Sequence, residues 1–151
     1  TKDEAEVMIK GVKDEPGVAA KILGPIGEAN IEIDMIVQNV GSNGLADFTF
    51  TVSRNTLKKA LQVIDKKKKI MMYESVSSKS NIVKVSLVGV GMRSHAGIAS
   101  KMFKCLAKNK VNIRMISTSE IKISVVIDQK NLEIAVQALH NEFKLEKIIK
   151  K

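Results

Sequence analysis

Apolar and polar residues alternate along several short segments of the chain, which is the spacing of strands with one buried face. The segments 6–12 and 83–90 alternate in this way, and each is followed by a loop and then by helical spacing. Two pairs of alternating segments, each pair joined by a turn, predict β-hairpins. These hairpins are 31–40 with 45–52, and 111–117 with 121–127.

Apolar residues spaced three or four apart predict the helices. One stripe runs through 98–106, and two others predict helices over 55–66 and 131–143. In the first half of the chain, Pro25 interrupts the helix that corresponds to 98–106. Because a proline inside a helix removes a hydrogen bond and clashes with the preceding turn, we expect a kink or an early end there.

The sequence contains an internal repeat. A shift of about 80 residues places Gly17 on Gly97 and Ile33 on Ile113, and internal duplication is the simplest account of this match. Each half has the element order βαββαβ, which is the ferredoxin-like arrangement. We therefore expect an α+β fold of two such modules, each an antiparallel sheet with helices on one face.

The ends of the modules are less sharply marked. A last strand is expected at 70–77 in the first module and in the tail 145–149 in the second. The Ser-rich segment 75–81 is typical of a boundary, so we predict modules at 1–78 and 79–151. Strands exchanged between the modules at the termini would be compatible with this layout.

Composition narrows the function classes. Apolar residues make up 44% of the chain and aromatic residues only 3%, so the core must be aliphatic. The single Cys105 excludes an internal disulfide, and the absence of a leader-like or membrane-spanning segment predicts a cytoplasmic protein. The net charge of +9 suggests a nucleic-acid partner. The excess is mostly Lys at helix ends and termini, however, which favours the interpretation that these side chains are solvated at the surface.

The loop 14–19 carries the most informative chemistry. Pro16 presets φ for the first turn of a helix, and Gly17 permits close approach of the backbone. We expect the N–H groups of Gly17, Val18 and Ala19 to be free at the positive end of that helix. Such a group of donors is a carboxylate site.

Two acids and an amide accompany this loop. Asp34 and Gln38 lie on the following strand an even number of residues apart, which predicts one shared face, and Asp14 belongs to the loop itself. Carboxylates suit an ammonium group and Gln38 suits a small polar side chain, so the first module predicts a pocket for a free α-amino acid. The alternative is that Asp14 only caps the helix, Gly17 closes a turn, and Asp34 and Gln38 are outward-facing strand residues. In the second module the acids are replaced by Ser94 and Arg114.

Longer segments resemble one protein family. They are KDEPGVAAKI, NIEIDMIVQNV, DFTFTV, VKVSLVGVGMRSHAGIASKMF, NIRMISTSEIKISVVID and ALHNEF. Together they cover nearly the whole chain. They resemble the C-terminal regulatory region of aspartate kinase, which consists of tandem ACT domains, and the separate β subunit of the heterotetrameric form of that enzyme.

The resemblance implies feedback control of the first step from aspartate towards lysine, threonine and methionine. Threonine or lysine would bind at an interface between ACT domains. The effector-binding role carries over onto Asp14, Pro16, Gly17, Val18, Ala19, Asp34, Gln38, Asn112 and Ile113. A second group matches the motif of the second module and implies an equivalent effector site or an interface. Its members are Met92, Ser94, His95, Gly97, Ser117, Thr118, Ser119 and Glu120.

The sequence has no nucleotide-binding Gly-rich loop and no acidic cluster suited to magnesium. We therefore expect no phosphoryl transfer by this chain, with ATP and magnesium belonging to a separate catalytic domain. The expected partners are the free amino acid, the aspartate kinase catalytic domain or α subunit, and a second copy of the chain. No metal, nucleic-acid or membrane partner is expected.

Two other functions remain as alternatives. One is an RNA-binding ferredoxin-like domain, because RNA-recognition motifs share this topology and carry aromatics on the third strand, where Phe48 and Phe50 lie here. The segment around them lacks the basic residue and the aromatic spacing of that motif. The other is an assembly module whose ligand sites are degenerate, which would associate without responding to amino acids.

Overall fold

The computed structural model describes residues 2–89, 95–143 and 148–149. Its contacts divide the chain into two compact units, one of residues 4–80 and one that starts at Asn81 and also includes Asp3. In each unit the strand pairs are antiparallel. The expected α+β class, with antiparallel sheets and helices, is confirmed.

The first unit forms its sheet from strands that are distant in sequence. The elements are β1 (Lys2–Lys13), α1 (Val18–Glu28), β2 (Ile33–Val40), β3 (Leu45–Ser53), a 3-10 turn (Arg54–Thr56), α2 (Leu57–Lys66), α3 (Lys68–Met71) and the beginning of β4 (Ser75–Val88). The strand order is β2-β3-β1-β4, so β3 pairs with both β1 and β2. This order brings the loop after β1 next to the hairpin between β2 and β3.

The core of this unit lies between the sheet and its two longer helices. Phe48 and Phe50 of β3 are fully buried in one cluster with Ile22 of α1 and Ile64 of α2. Because the two rings pack against the helices, they offer no surface on which nucleic-acid bases could stack. The observation that motivated the RNA-binding alternative is therefore explained by packing.

The second unit repeats this arrangement. Its elements are the rest of β4, α4 (His95–Lys108), β5 (Ile113–Thr118), β6 (Lys122–Asp128), a 3-10 turn (Gln129–Asn131), α5 (Leu132–Phe143) and β7 (Ile148–Ile149). The strand order is β4-β6-β5, and β7 pairs with β4. A second buried cluster includes Val85 of β4, Leu106 of α4, Val125 of β6 and Leu139 of α5.

The repeat extends to the backbone at the end of the first helix of each unit. Asn30 follows α1 and Lys110 follows α4, and both have a φ of 60°, in the left-handed region. The next amide reaches back five residues in each case, from Ile31 to the carbonyl of Ile26 (3.2 Å) and from Val111 to that of Leu106 (2.9 Å). This is the same Schellman-type helix end in both units.

Helix α1 does not end early at Pro25 but continues to Glu28. The residue before the proline is Gly24, which has no Cβ to clash with the proline ring, so helical backbone is tolerated there. Burial of Ile22 and Ile26 on the side facing the sheet stabilises the helix on both sides of the proline. Tertiary packing thus outweighs the local penalty.

The expected strands at 70–77 and 83–90 were wrong in their bounds. Residues 68–71 form the short helix α3, and the strand that follows, β4, begins at Ser75 and runs through the whole Ser-rich segment 75–81, within which the two units divide between residues 80 and 81. Val76 in this segment packs against the first core, which favours strand over linker. Residue 90 and residues 145–147 of the predicted tail strand 145–149 lie outside the described residues.

Candidate functional site

The loop before α1 forms a tight turn. The N–H of Val18 donates to the carbonyl of Glu15 at 3.1 Å, and Gly17 has a φ of 88° and a ψ of −1°. Proline at the second position and a left-handed glycine at the third define a type II turn. The amide of Val18 is therefore used inside the turn, and the prediction that it is free was wrong.

The other two predicted donors remain available. No backbone carbonyl of the described residues accepts the N–H of Gly17 or Ala19, both of which are exposed. The first helical bond runs from the N–H of Lys21 to the carbonyl of Gly17 at 3.0 Å, so these N–H groups lie at the positive end of α1. This arrangement suits a carboxylate better than a cation.

Asp14 is held by a contact that the sequence did not reveal. Its N–H donates to the carbonyl of Gly44 at 2.9 Å, which joins the loop to the turn between β2 and β3. Gly44 has a φ of 79° and therefore needs the freedom of glycine. The only signal in the sequence was the Gly- and Asn-rich composition of 41–44, which predicted a turn and not its partner.

Glu15 is a second feature that sequence reasoning missed. Its carboxylate lies 3.7 Å from the Nζ of Lys13 and 3.9 Å from the Nζ of Lys21. Such partly exposed pairs contribute little to stability, but they place positive charge on both sides of the turn. Because Glu15 itself pairs with both lysines, these charges largely cancel, and the preference of the turn for an anionic group rests on its N–H groups.

Asp34 and Gln38 do not stand in a regular strand. Ile33 pairs with Val52 and Ile36 pairs with Phe50, so two residues of β2 lie opposite the single Thr51. The hydroxyl of Thr51 accepts the N–H of Met35 at 3.0 Å and holds this bulge. A bulge interrupts the alternation of side chains, so the even spacing of Asp34 and Gln38 does not place them on one face. Asp34 is half-buried and Gln38 is exposed.

The second unit contains the same bulge with a different charge. Ile113 pairs with Ile127 and Met115 pairs with Val126, so Arg114 stands where the first unit has Asp34. Asn112 is exposed and Ile113 is half-buried, at the start of β5. The bulge is thus part of the architecture of both sheets, and only the first one carries an acid.

The second predicted group is spread over several elements. Ser117 and Thr118 end β5 and pair with Ser124 and Ile123, so they point to opposite faces of the sheet. Ser119 and Glu120 are exposed in the turn that follows. Helix α4 begins at His95 and contains the exposed Gly97, whereas Met92 and Ser94 lie outside the described residues.

Two cavities stand apart from these residues. One, of about 350 Å³ in the first unit, is lined among others by Lys10, Asp47 and Glu74. The other, of about 410 Å³, lies in the second unit beside Ile134 and Gln137 of α5. Neither is lined by a predicted effector residue, and residues 14–17 of the turn are exposed.

Within the described part of the chain, no group of three or more metal-binding side chains converges. Among the same residues, no helix combines the length and the hydropathy needed to cross a bilayer.

Comparisons with known proteins agree on one family. The ACT domain matches residues 6–68, and a second ACT domain matches residues 85–143. An aspartate kinase of Stutzerimonas stutzeri is 59% identical over 145 residues, and an aspartokinase of Helicobacter pylori is 48% identical over the same length. These matches cover 96% of this chain, and the chain spans about a third (35%) of the length of these relatives.

Two solved structures match over nearly their whole length. A chain in a structure of aspartokinase α and β subunits is 47% identical with a TM-score of 0.90, and 96% of this chain and 95% of that chain are covered. The ligand-free regulatory subunit of aspartate kinase from Thermus thermophilus is 35% identical with a TM-score of 0.87, covering 95% and 94%.

Proposed function

This chain belongs to the tandem ACT-domain family of aspartate kinase regulatory subunits, and on that premise we propose that it binds a feedback amino acid. The effector is threonine, lysine or both. Its binding controls, allosterically, the phosphorylation of aspartate by ATP at the head of the lysine, threonine and methionine pathway. The observation that carries this proposal is the Glu15–Val18 turn, which leaves donors free at the start of α1.

The ligand would be held by both of its charged ends. Its carboxylate would accept the exposed N–H groups of Gly17 and Ala19, where the dipole of α1 favours a negative charge. Its ammonium group would face Asp14 and Asp34. Such charge-assisted hydrogen bonds are about twice as strong as neutral ones.

We propose that the site is completed where one ACT module meets another. Residues 14–17 of the turn are exposed, and β2 and β5 are the outermost strands of their sheets. Each exposes a large apolar side chain, Ile36 at 52% and Ile116 at 46%. Unpaired apolar edges favour association with another strand, so we propose a homodimer formed through the ACT modules, with Asn112 and Ile113 closing the pocket.

The catalytic partner would be an aspartate kinase catalytic domain or α subunit, which would hold ATP and magnesium. Effector binding needs to favour the inhibited arrangement by only ~1–3 kcal/mol to change activity substantially. The chain itself would act by binding and association, without a chemical step of its own.

Calorimetry tests this proposal directly. L-threonine and L-lysine are titrated into the chain, with D-threonine as the control that has the same groups in the wrong arrangement. Saturable heat with either L-amino acid and none with D-threonine is the expected result. No heat with either ligand at millimolar concentration would overturn the proposal.

Thermal unfolding separates a ligand-binding module from a pure assembly module. A ligand that binds only the folded state stabilises it by about 2.7 kcal/mol at one hundred times its Kd. We expect the melting temperature to rise with L-threonine or L-lysine. A dimer whose melting temperature does not change with either amino acid would instead support the alternative of an assembly module with degenerate ligand sites.

A further inference from the structure

Strand β1 contains a bulge close to the proposed effector loop. Ile9 pairs with Phe48 and Val12 pairs with Ala46, so Lys10 and Gly11 together lie opposite Asp47. Gly11 has a φ of 76°, in the left-handed region. A carboxylate oxygen of Asp47 accepts the N–H of Gly11 at 2.9 Å, a partly buried bond between residues 36 positions apart.

The bulge determines which residues reach the core. Ile9 and Val12 are both fully buried in the same cluster although they are three residues apart. A regular strand would send residues 9 and 11 to the core, so the extra residue is what turns Val12 inward. It also sets the pairing of Lys13 with Leu45 and the bond from the N–H of Asp14 to Gly44.

Within the described residues, which end at Gly89 after β4, the second unit shows no such bulge. Leu87 pairs with Ile123 and Val88 pairs with Lys122, in unbroken register along the described part of β4. Lys122 stands where the first unit has Asp47, and it cannot accept a hydrogen bond through its ammonium group. The anchored bulge therefore occurs in the unit that also carries Asp34.

We infer that Asp47 is a positioning residue for the effector loop. By holding the N–H of Gly11, its carboxylate fixes the end of β1 and thereby the place of Asp14 and of the turn that follows. This inference rests on the proposed function, because it assigns Asp47 a role in effector affinity without contact with the effector.

Other contacts also hold the bulge at Lys10 and Gly11. The cavity of about 350 Å³ is lined by Lys10, Gly11 and Asp47, and the side chain of Glu74, which also lines it, lies close against Gly11. The N–H of Glu74 donates to the carbonyl of Lys10 at 2.8 Å and supports the other half of the bulge. Loss of the Asp47 bond would leave the N–H of Gly11 without this acceptor, in the half of the bulge that the Glu74 bond does not hold.

The experiment measures effector affinity of the full chain by calorimetry, with L-threonine and L-lysine as probes, well below the melting temperature. Asp47→Ala is expected to weaken binding about five-fold, as loss of one intramolecular hydrogen bond would. Asp47→Asn keeps an oxygen acceptor and is expected to restore affinity to within about two-fold of wild type. Lys122→Ala, at the matched position of the second unit, is the control and should leave affinity unchanged.

Hydrogen exchange gives a readout that does not depend on the ligand. The amides of Gly11 and Asp14 should exchange faster in Asp47→Ala than in wild type and Asp47→Asn, while the Phe48 amide is unaffected. If Asp47→Ala fails to fold, Asp47→Ser takes its place. The shorter Ser side chain holds its oxygen farther from the N–H of Gly11, so the same weakening of binding and the same faster exchange are expected.

The outcomes separate the two proposals. Wild-type affinity in Asp47→Ala, or equal loss in Asp47→Ala and Asp47→Asn, overturns the positioning role and leaves the proposed function intact. Absence of binding by the wild-type chain overturns the proposed function, and the role in effector affinity falls with it.

Discussion

Asp34 and Arg114 occupy the same bulge in the two sheets and carry opposite charges. Each stands directly after an isoleucine that pairs with the third strand of its unit, Ile33 with Val52 and Ile113 with Ile127. A bulge re-aims a side chain and is retained where that direction matters. The two units thus share the same β-bulge and differ in the charge of the side chain that stands in it.

This difference gives the first prediction. Asp34→Ala should weaken binding of L-threonine or L-lysine by about 10-fold to 100-fold, the range expected for loss of a hydrogen bond to a charged group. Arg114→Ala is the matched control and should leave that affinity within about two-fold of wild type. Calorimetry measures both, and equal effects of the two variants would contradict the assignment of the effector to the first unit.

The second prediction compares two glycines of the same segment. Gly17 has a φ of 88° with open space around it, whereas Gly27 lies within α1, also with nothing near an added Cβ. Gly17→Ala should lower the free energy of unfolding by about 1–2 kcal/mol because of its left-handed backbone. Gly27→Ala should raise it by about 0.5–1 kcal/mol through helix propensity. Urea unfolding measures both values, and a shared sign would refute the argument.

The third prediction concerns the left-handed residue after each unit's first helix. Asn tolerates this backbone better than Lys because its short polar side chain can hydrogen-bond locally. Lys110→Asn should therefore raise the free energy of unfolding by about 0.5–1 kcal/mol, and Asn30→Lys should lower it by a similar amount. Thermal or urea unfolding of the two variants tests this, with no change in either as the contrary result.

The fourth prediction concerns the reactivity of Cys105. Burial raises the pKa of the Cys105 thiol above its ordinary value, the carboxylate of Glu142 adds to this effect, and Lys108 opposes it. Because the thiolate is the reactive form, a raised pKa means less of it at any given pH. Alkylation by iodoacetamide at pH 8 should be about ten-fold slower or more in the folded chain than in urea. Comparable rates would show that the thiol is accessible.

The fifth prediction addresses self-association. Ile36→Lys, on the outermost strand β2, should shift the chain from the proposed dimer towards monomer in sedimentation experiments, because a charge would have to be buried at the proposed interface. Its free energy of unfolding should stay within about 0.5 kcal/mol of wild type at matched monomer populations. Ile134→Lys is the control, since Ile134 is 51% exposed but lies on α5. If Ile134→Lys also abolished association, the interface would have to include the helices, and the assignment to the edge strands would be wrong.

Much of the fold follows from local patterns. The duplicated order of strands and helices could be predicted because each element's hydrophobic period reports which of its own faces is buried. The turn at Pro16 and Gly17 was predictable for a related reason, since these residues restrict or permit φ without regard to distant partners. Family resemblance added the role of the site but not its geometry.

Tertiary structure decided the features that depend on partners far along the chain. The bulge at Lys10 and Gly11 is held by Asp47, which lies 36 positions from Gly11 and accepts its N–H. The bulge at Asp34 lies opposite Thr51, whose hydroxyl accepts the N–H of Met35. The hydrophobic periodicity of a segment contains no information about such pairings. The even spacing of Asp34 and Gln38 therefore wrongly predicted that they share one face of the strand. The Ser-rich segment 75–81 shows the same dependence on distant residues. It forms strand throughout because Val76 packs against the core of the first unit, and this burial outweighs the local composition.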